Sequence, residues 1–133
     1  MSENIECPHC KAVRPQETYQ QNLMVCPDCG AHLRLGAKER IKYLCDENSF
    51  AELFKNLKSA NPIEMEGYEE KLSAAAAKTE MDEAIIVGNC TIEGYKAILG
   101  IMSFAFMGGS MGTAVGEKIT ALFEYALKKR MPV

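Results

Sequence analysis

Four cysteines are the residues of this 133-residue sequence whose type and spacing most directly indicate chemistry. They form two Cys-x-x-Cys pairs separated by fifteen residues, and the four are Cys7, Cys10, Cys26 and Cys29. Thiolate sulfur is a preferred ligand of zinc, and four thiolates complete a tetrahedral shell around one ion. The spacing of the two pairs is typical of zinc ribbons. The sequence therefore predicts one structural Zn²⁺ per chain, held by these four cysteines.

The residues around each cysteine pair fit a metal-binding turn. Pro8 and Pro27 follow the first cysteine of each pair and fix φ where a tight turn begins. Gly30 follows the second pair and can adopt the positive φ that directs backbone amides toward the sulfur atoms. We expect residues 1–35 to form a ribbon of two short hairpins. Because so small a unit buries little apolar surface, the metal must supply much of its stability.

Three other interpretations of this region are open from the residues alone. Six cysteines could build a disulfide scaffold, although Cys45 and Cys90 stand alone in apolar surroundings where buried thiols are common. His9 could replace a cysteine, but four cysteines already complete the shell. A rubredoxin-like iron site for electron transfer fits the second cysteine pair, since sulfur ligands do not separate iron from zinc. An electron-transfer site of this kind would not explain the function of the chain after residue 35.

Composition and charge argue against several classes of function. The net charge of −3 gives no general affinity for polyanions. Residues 1–45 carry six Lys/Arg and five Asp/Glu, so a zinc-ribbon nucleic-acid-binding or regulatory protein is the alternative function rather than the favoured one. No apolar run approaches the roughly 18 residues of a membrane span, and the N-terminus lacks the features of a signal peptide. We expect a cytoplasmic protein without membrane contact.

The chain after the ribbon is predicted to contain a helical linker over residues 36–80. Apolar residues at helical spacing predict a short helix over residues 37–45. Residues 68–78 are rich in strong helix formers and poor in bulky apolar side chains, which indicates a partly exposed helix.

Residues 81–133 are predicted to begin a further domain. Two apolar, partly β-branched runs, at residues 84–92 and 95–102, are joined by Glu93-Gly94 and predict a hairpin. Neither run alternates cleanly, so part of the sheet should be buried on both faces. A helix over residues 113–130 is predicted from one broad apolar stripe, formed by Val115, Ile119, Leu122, Phe123, Ala126 and Leu127.

A glycine-rich segment separates the second run from that last helix. Unpaired amides at a helix N-terminus can bind phosphate or an oxyanion, and Gly108, Gly109 and Gly112 would let a ligand approach the backbone. The segment lacks the Lys-Ser/Thr of a P-loop and the Gly-x-Gly-x-x-Gly of a dinucleotide site. From the residues alone, ligand binding and tight packing are equally open.

The combination of these features resembles a known family. The four cysteines, the helical linker and the two strand-forming runs are followed by Phe106-Met107-Gly108-Gly109-Ser110-Met111-Gly112 and by Val115-Gly116-Glu117-Lys118-Ile119. Together they resemble, over essentially the whole chain, the β-subunit family of bacterial acetyl-CoA carboxylase carboxyltransferases. The resemblance implies an α/β (α+β) fold, in which a zinc ribbon precedes the first ββα unit of a crotonase-like (ClpP/crotonase) domain.

The same resemblance implies a function and partners. In the family, a carboxyl group passes from carboxybiotin to acetyl-CoA and gives malonyl-CoA for fatty acid biosynthesis, within an ATP-binding complex. The implied partners are the carboxyltransferase α subunit and the biotin carboxyl carrier protein. Biotin would reach the chain only on this carrier protein. Gly108, Gly109, Ser110 and Gly112 would have a structural or substrate-side role, and no catalytic residue is assigned.

Family members are considerably longer than this sequence. The chain ends before the segment that holds the acyl-CoA carbonyl in the family, so its crotonase-like domain has the appearance of a truncated one, and the chain is expected to be inactive by itself. The sequence leaves three explanations open for its length. The chain is a truncated product, one piece of a split subunit, or a paralogue that keeps the scaffold without carboxyltransferase activity.

Overall fold

A computed structural model describes residues 3–133 of the chain. The chain forms two compact units, of which the first extends to Leu35 and the second spans Gly36–Val133. Within residues 3–133, no helix has both the length and the apolar character needed to cross a membrane.

The first unit contains one antiparallel hairpin and one short helix. Strands β1 (Asn4–Glu6) and β2 (Val13–Pro15) pair with Ile5 opposite Arg14, and helix α1 (Gln16–Gln21) follows directly. The expectation of two hairpins is only partly correct, because the second cysteine pair is flanked by a single bridge between Val25 and His32. Helix α1 was not expected, and it places Tyr19 in the centre of the unit with no exposed surface.

The second unit is built on a three-stranded antiparallel sheet. Its elements are, in chain order, α2 (Ala37–Leu44), β3 (Ala51–Leu53), α3 (Tyr68–Thr79), β4 (Ile85–Ile92), β5 (Tyr95–Met102), a 3-10 turn (Met107–Gly109) and α4 (Thr113–Lys129). The strand order is β3-β4-β5. The predicted hairpin is present, and its two connecting residues, Glu93 and Gly94, have φ values of 50° and 81°. Two positive φ values match the twist of a tight two-residue hairpin turn.

Strand β4 is the buried centre of the sheet. Its residues from Ile85 through Gly88 are all buried, which agrees with the predicted burial on both faces, whereas β5 is partly exposed. Strand β3 packs closely against β4, and helix α4 against β5, because Gly88 and Gly100 have no side chain at these contacts. A Cβ at Gly88 would lie 2.6 Å from the carbonyl oxygen of Ala51 and closer still to the Phe50 ring, and one at Gly100 would lie 2.9 Å from Leu122 of α4.

Helix α4 packs on the sheet through a narrower stripe than the sequence predicts. Val115, Leu122 and Ala126 are buried, but the predicted stripe is wrong at Phe123 and Leu127, which are 56% and 82% exposed. The charged residue Lys118 is also buried, and it lies three residues after Val115 and four before Leu122, on the same face of the helix. The helix is therefore rotated relative to the face that apolar residue type alone suggests.

Asp46, which lies just after α2, is hydrogen-bonded to the β4–β5 hairpin. The Asp46 amide donates to the Thr91 carbonyl over 2.9 Å, and the Asp46 carboxylate accepts the amides of Glu93 and Gly94 over 2.8 and 2.9 Å. Hydrogen bonds from the Thr91 side chain and these amides hold the pKa of Asp46 below its usual value. The end of α2 and the end of β4 are consequently held side by side.

The close contact at Gly88 gives a test of this packing. We expect Gly88→Ala to destabilise the chain by about 1–3 kcal/mol, because the added methyl group has no space between β4 and β3. Gly116→Ala is the matched control. Nothing lies within 4 Å of a Cβ at Gly116, so this helical substitution should stabilise by about 0.5–1 kcal/mol. Urea unfolding measures both, and equal midpoints for the two variants would contradict the packing described.

Candidate functional site

The four paired cysteines converge in the first unit. The Sγ atoms of Cys7 and Cys29 are 3.8 Å apart, those of Cys10 and Cys26 are 3.7 Å apart, and all four lie within 4.8 Å of one another. A tetrahedral ion with 2.3 Å bonds to sulfur requires neighbouring sulfur atoms about 3.8 Å apart. All four are free thiols, as are Cys45 and Cys90. The cluster can therefore hold a metal ion, as the spacing predicts.

Each cysteine pair lies on a turn that closes on itself. The Lys11 amide donates to the Cys7 carbonyl over 3.0 Å, and the Gly30 amide donates to the Cys26 carbonyl over 2.8 Å. Gly30 has φ of 73°, which confirms the predicted positive value. Burial acts to raise the pKa of the Cys26 thiol, but the amides of Cys29 and Asp28 and the neighbouring thiols lower it to about 6. A lowered thiol pKa favours the thiolate form that binds metals.

Tyr19 supports this cluster and was missed by sequence reasoning. It packs with Cys7 and Cys26, the other two fully buried residues of the first unit, and its hydroxyl donates to the Ala12 carbonyl over 3.4 Å. Burial and the adjacent Cys26 raise the pKa of Tyr19 to about 12, so the hydroxyl stays protonated at neutral pH. A large aromatic residue between two metal-type cysteine pairs is the signal that could have identified it.

An ion pair joins the hairpin to the second cysteine pair. Arg14 on β2 makes two hydrogen bonds to Asp28, of 3.0 and 2.6 Å. His9 and His32 are exposed, and the only group of potential metal ligands among residues 3–133 contains the four cysteines alone. The second cysteine pair is thus oriented by Arg14 as well as by its own turn.

The glycine-rich segment of the second unit forms a tight turn before α4. Gly108 and Gly109 have φ values of 69° and 74°, and the Gly109 and Ser110 amides donate within the turn, to Phe106 and Met107. Gly112 differs, because its φ of −85° is open to any residue and it immediately precedes α4 without a side-chain cap. The structure therefore separates two glycines that shape the turn from one that does not.

A cavity of about 410 Å³ lies at the start of α4. One wall is the loop after β3, from Leu57 to Tyr68, and the other contains Gly112, Ala114 and Glu117. A much smaller cavity of about 20 Å³ is lined by Ser110, Gly112 and the loop residue Ser59, among others. Four residues of this segment were predicted to have a structural or substrate-side role. Ser110 and Gly112 line at least one of the two cavities, whereas Gly108 and Gly109 line neither cavity.

Two charged residues of the second unit are buried. Glu83 is 3% exposed, and its carboxylate accepts the Ser59 amide over 2.5 Å, which fixes one wall of the larger cavity. Lys118 on α4 is 1% exposed. Burial lowers its pKa, although the nearby carboxylates of Glu52, Glu83 and Asp82 oppose this effect. Sequence reasoning missed Lys118, but its position three residues after Val115 and four before Leu122 places it on the buried face.

Comparisons with known proteins identify relatives of the whole described chain. Acetyl-coenzyme A carboxylase carboxyl transferase subunit beta of Treponema denticola is 56% identical over 129 residues, which cover 97% of this chain and 49% of that protein. The protein of the same name from Carboxydothermus hydrogenoformans is 45% identical over 128 residues, covering 96% of this chain and 46% of the relative. The chain thus spans about half the length of the curated relatives it matches. No family model matches the chain.

A solved structure agrees with the fold. The single-chain, multi-domain long-chain acyl-CoA carboxylase superimposes with a TM-score of 0.62 at 23% identity, covering 75% of this chain and 10% of that one. At this identity the similarity shows the fold alone, and the mixed α/β fold that the sequence predicts is shared by that carboxylase. The chain is therefore similar, over nearly its whole length, to the N-terminal portion of proteins named as the β subunit of acetyl-CoA carboxylase carboxyltransferase.

Proposed function

We propose that this chain contributes the zinc-containing N-terminal part of a carboxyltransferase that moves the carboxyl group of carboxybiotin to acetyl-CoA, giving malonyl-CoA for fatty acid biosynthesis. The observation that carries the proposal is the 56% identity to a β subunit across 97% of the chain. Since the chain spans only about half of that relative, the activity is assigned to a complete assembly. The chain alone is expected to be inactive.

The proposed partners are those of a β subunit. The relatives are named as a subunit, which supports a partner chain of the α type, on which carboxybiotin would be bound. Biotin would arrive on a biotin carboxyl carrier protein, and the assembly would work in the cytoplasm. The ribbon needs no nucleic acid in this proposal, and the three Lys/Arg against four Asp/Glu within residues 1–35 offer little attraction for one.

Zinc is the metal proposed for the four cysteines. The sulfur spacings of 3.7 and 3.8 Å fit the tetrahedral tetrathiolate shell of structural zinc sites. Such an ion would supply folding energy rather than chemistry, because four protein ligands leave no open position for a substrate. Iron in the same ligands would give a coloured protein, whereas zinc would not.

Acetyl-CoA is proposed to bind at the cavity beside α4. Carboxylation of the acetyl methyl carbon requires loss of a proton, and negative charge then develops on the thioester oxygen. The first amides of α4 have no intrahelical acceptors, so they can stabilise such charge near Gly112 and Ser110. The apolar wall residues Leu57, Ile63 and Met65 suit the uncharged arm of the coenzyme. Gly108 and Gly109 would act through the shape of the turn.

Loss of one ligand is expected to remove the metal. Native mass spectrometry should find one zinc ion per wild-type chain and none in Cys29→Ser, because three thiolates bind the ion far more weakly. Cys45→Ser changes a cysteine outside the cluster and should keep one zinc. A zinc ion retained by Cys29→Ser, or iron in place of zinc in the wild type, would contradict the proposed site.

A large side chain at the cavity wall is expected to weaken coenzyme binding. We expect Gly112→Phe to weaken the affinity of the zinc-loaded chain for coenzyme A at least tenfold, about 1.4 kcal/mol, in isothermal titration calorimetry. Gly116→Phe is the matched control, since nothing lies within 4 Å of a Cβ at either position but Gly116 does not line the cavity. Equal affinity of the two variants would show that the coenzyme binds elsewhere.

Assembly with an α subunit tests the function as a whole. Mixing the chain with a carboxyltransferase α subunit should give a complex in native mass spectrometry, without malonyl-CoA formation. Malonyl-CoA produced by these two chains alone would refute the expected inactivity. A zinc-loaded chain that forms no complex would contradict the proposed β-subunit role.

A further inference from the structure

Two cysteines outside the metal cluster are held next to each other in the second unit. Cys45 ends α2 and donates its amide to the Ile41 carbonyl over 2.9 Å, and Cys90 lies in β4. The residues that follow them are directly bonded, because the Asp46 amide donates to the Thr91 carbonyl over 2.9 Å. The hydrogen bonds between Ser49 and the Thr91 backbone, of 3.3 and 3.2 Å, reinforce this contact. These bonds therefore hold the backbone at Cys45 beside the backbone at Cys90.

The two thiols differ in their access to solvent. Cys90 is 5% exposed, whereas Cys45 is half-buried. Burial and hydrogen bonding with the Cys45 thiol raise the pKa of Cys90 to about 12, so Cys90 keeps its proton and Cys45 is the thiol that meets a dissolved oxidant first. Both are free thiols, and neither belongs to the metal cluster. A partly accessible thiol beside a buried one is the arrangement of a reactive cysteine and its resolving partner.

We propose that Cys45 and Cys90 form a modification site, at which hydrogen peroxide oxidises the pair to a disulfide that joins the end of α2 to β4. The Cys45 sulfur attacks one peroxide oxygen and breaks the O–O bond, and the hydroxide released takes up the thiol proton as water. The sulfenic acid on Cys45 is then attacked by the Cys90 sulfur. The S–O bond breaks, and the departing hydroxide leaves with the Cys90 proton as a second water.

The disulfide would close a loop of the chain that contains one wall of the candidate coenzyme site. Between Cys45 and Cys90 lie β3, the cavity loop from Leu57 to Tyr68, and α3. A covalent link between the ends of this segment restricts the unfolded chain and so stabilises the folded one. The modification is independent of the proposed activity, because it needs only the two thiols and a peroxide.

Peptide mapping of the zinc-loaded wild-type chain tests the proposal. After treatment with hydrogen peroxide, remaining thiols are alkylated with iodoacetamide and the protein is digested with trypsin, which places Cys45 in peptide 43–55 and Cys90 in peptide 79–96. We expect the two peptides to be linked, with loss of both alkyl adducts, and to separate on reduction. Cys45 and Cys90 both alkylated, or Cys45 linked to a zinc ligand, would overturn the proposal.

Stability supplies a second readout and a control. Oxidation should raise the urea midpoint of the wild-type chain, and dithiothreitol should restore the original value. In Cys45→Ser, whose altered side chain is only half-buried, peroxide should leave the midpoint unchanged and Cys90 reactive to iodoacetamide after unfolding. A midpoint that rises equally in Cys45→Ser would assign the effect to other thiols and would also overturn the proposal.

Discussion

Burial of β4 is the constraint on which the second unit depends. Its residues from Ile85 to Gly88 have no solvent on either face, so their backbone groups must be paired on both sides. Strands β3 and β5 supply these partners, and α4 covers the sheet where Leu122 meets Gly100. The absence of a side chain at Gly88 lets Phe50 and β3 approach β4 closely. The hairpin, the loop after β3 and α4 all take their positions from this one strand.

The ribbon has no comparable core. Its fully buried residues are Cys7, Tyr19 and Cys26, and two of these are members of the thiol cluster. Apolar burial on this scale is worth only a few kcal/mol, far less than the conformational entropy lost by some thirty ordered residues. The structure of this unit is therefore expected to depend on a metal ion in the thiol cluster, whereas the second unit folds around apolar side chains. Metal removal should unfold the ribbon and spare the sheet.

The features that the sequence predicts correctly are those that depend on residues close together in the chain. The cysteine pairs, the β4–β5 hairpin and α4 all follow from spacings of a few residues, and each is present in the structure. Helix α1 could not be predicted in this way, because Tyr19 is buried by cysteines distant in the chain. The cavity loop likewise depends on Glu83, which binds the Ser59 amide from far along the sequence. The exposed Phe123 and Leu127 show that residue type alone does not fix which helix face packs.

The glycines before α4 differ in whether their backbone conformation requires glycine. Gly108 and Gly109 have positive φ, so the turn itself requires them. Gly112 has φ of −85°, and no described residue lies within 4 Å of the Cβ that another amino acid would place there. Neither backbone strain nor packing within the described chain demands glycine at this position. In the proposed function, bound coenzyme would occupy this open space at the cavity wall and the helix N-terminus, which is why the calorimetric comparison is made at Gly112.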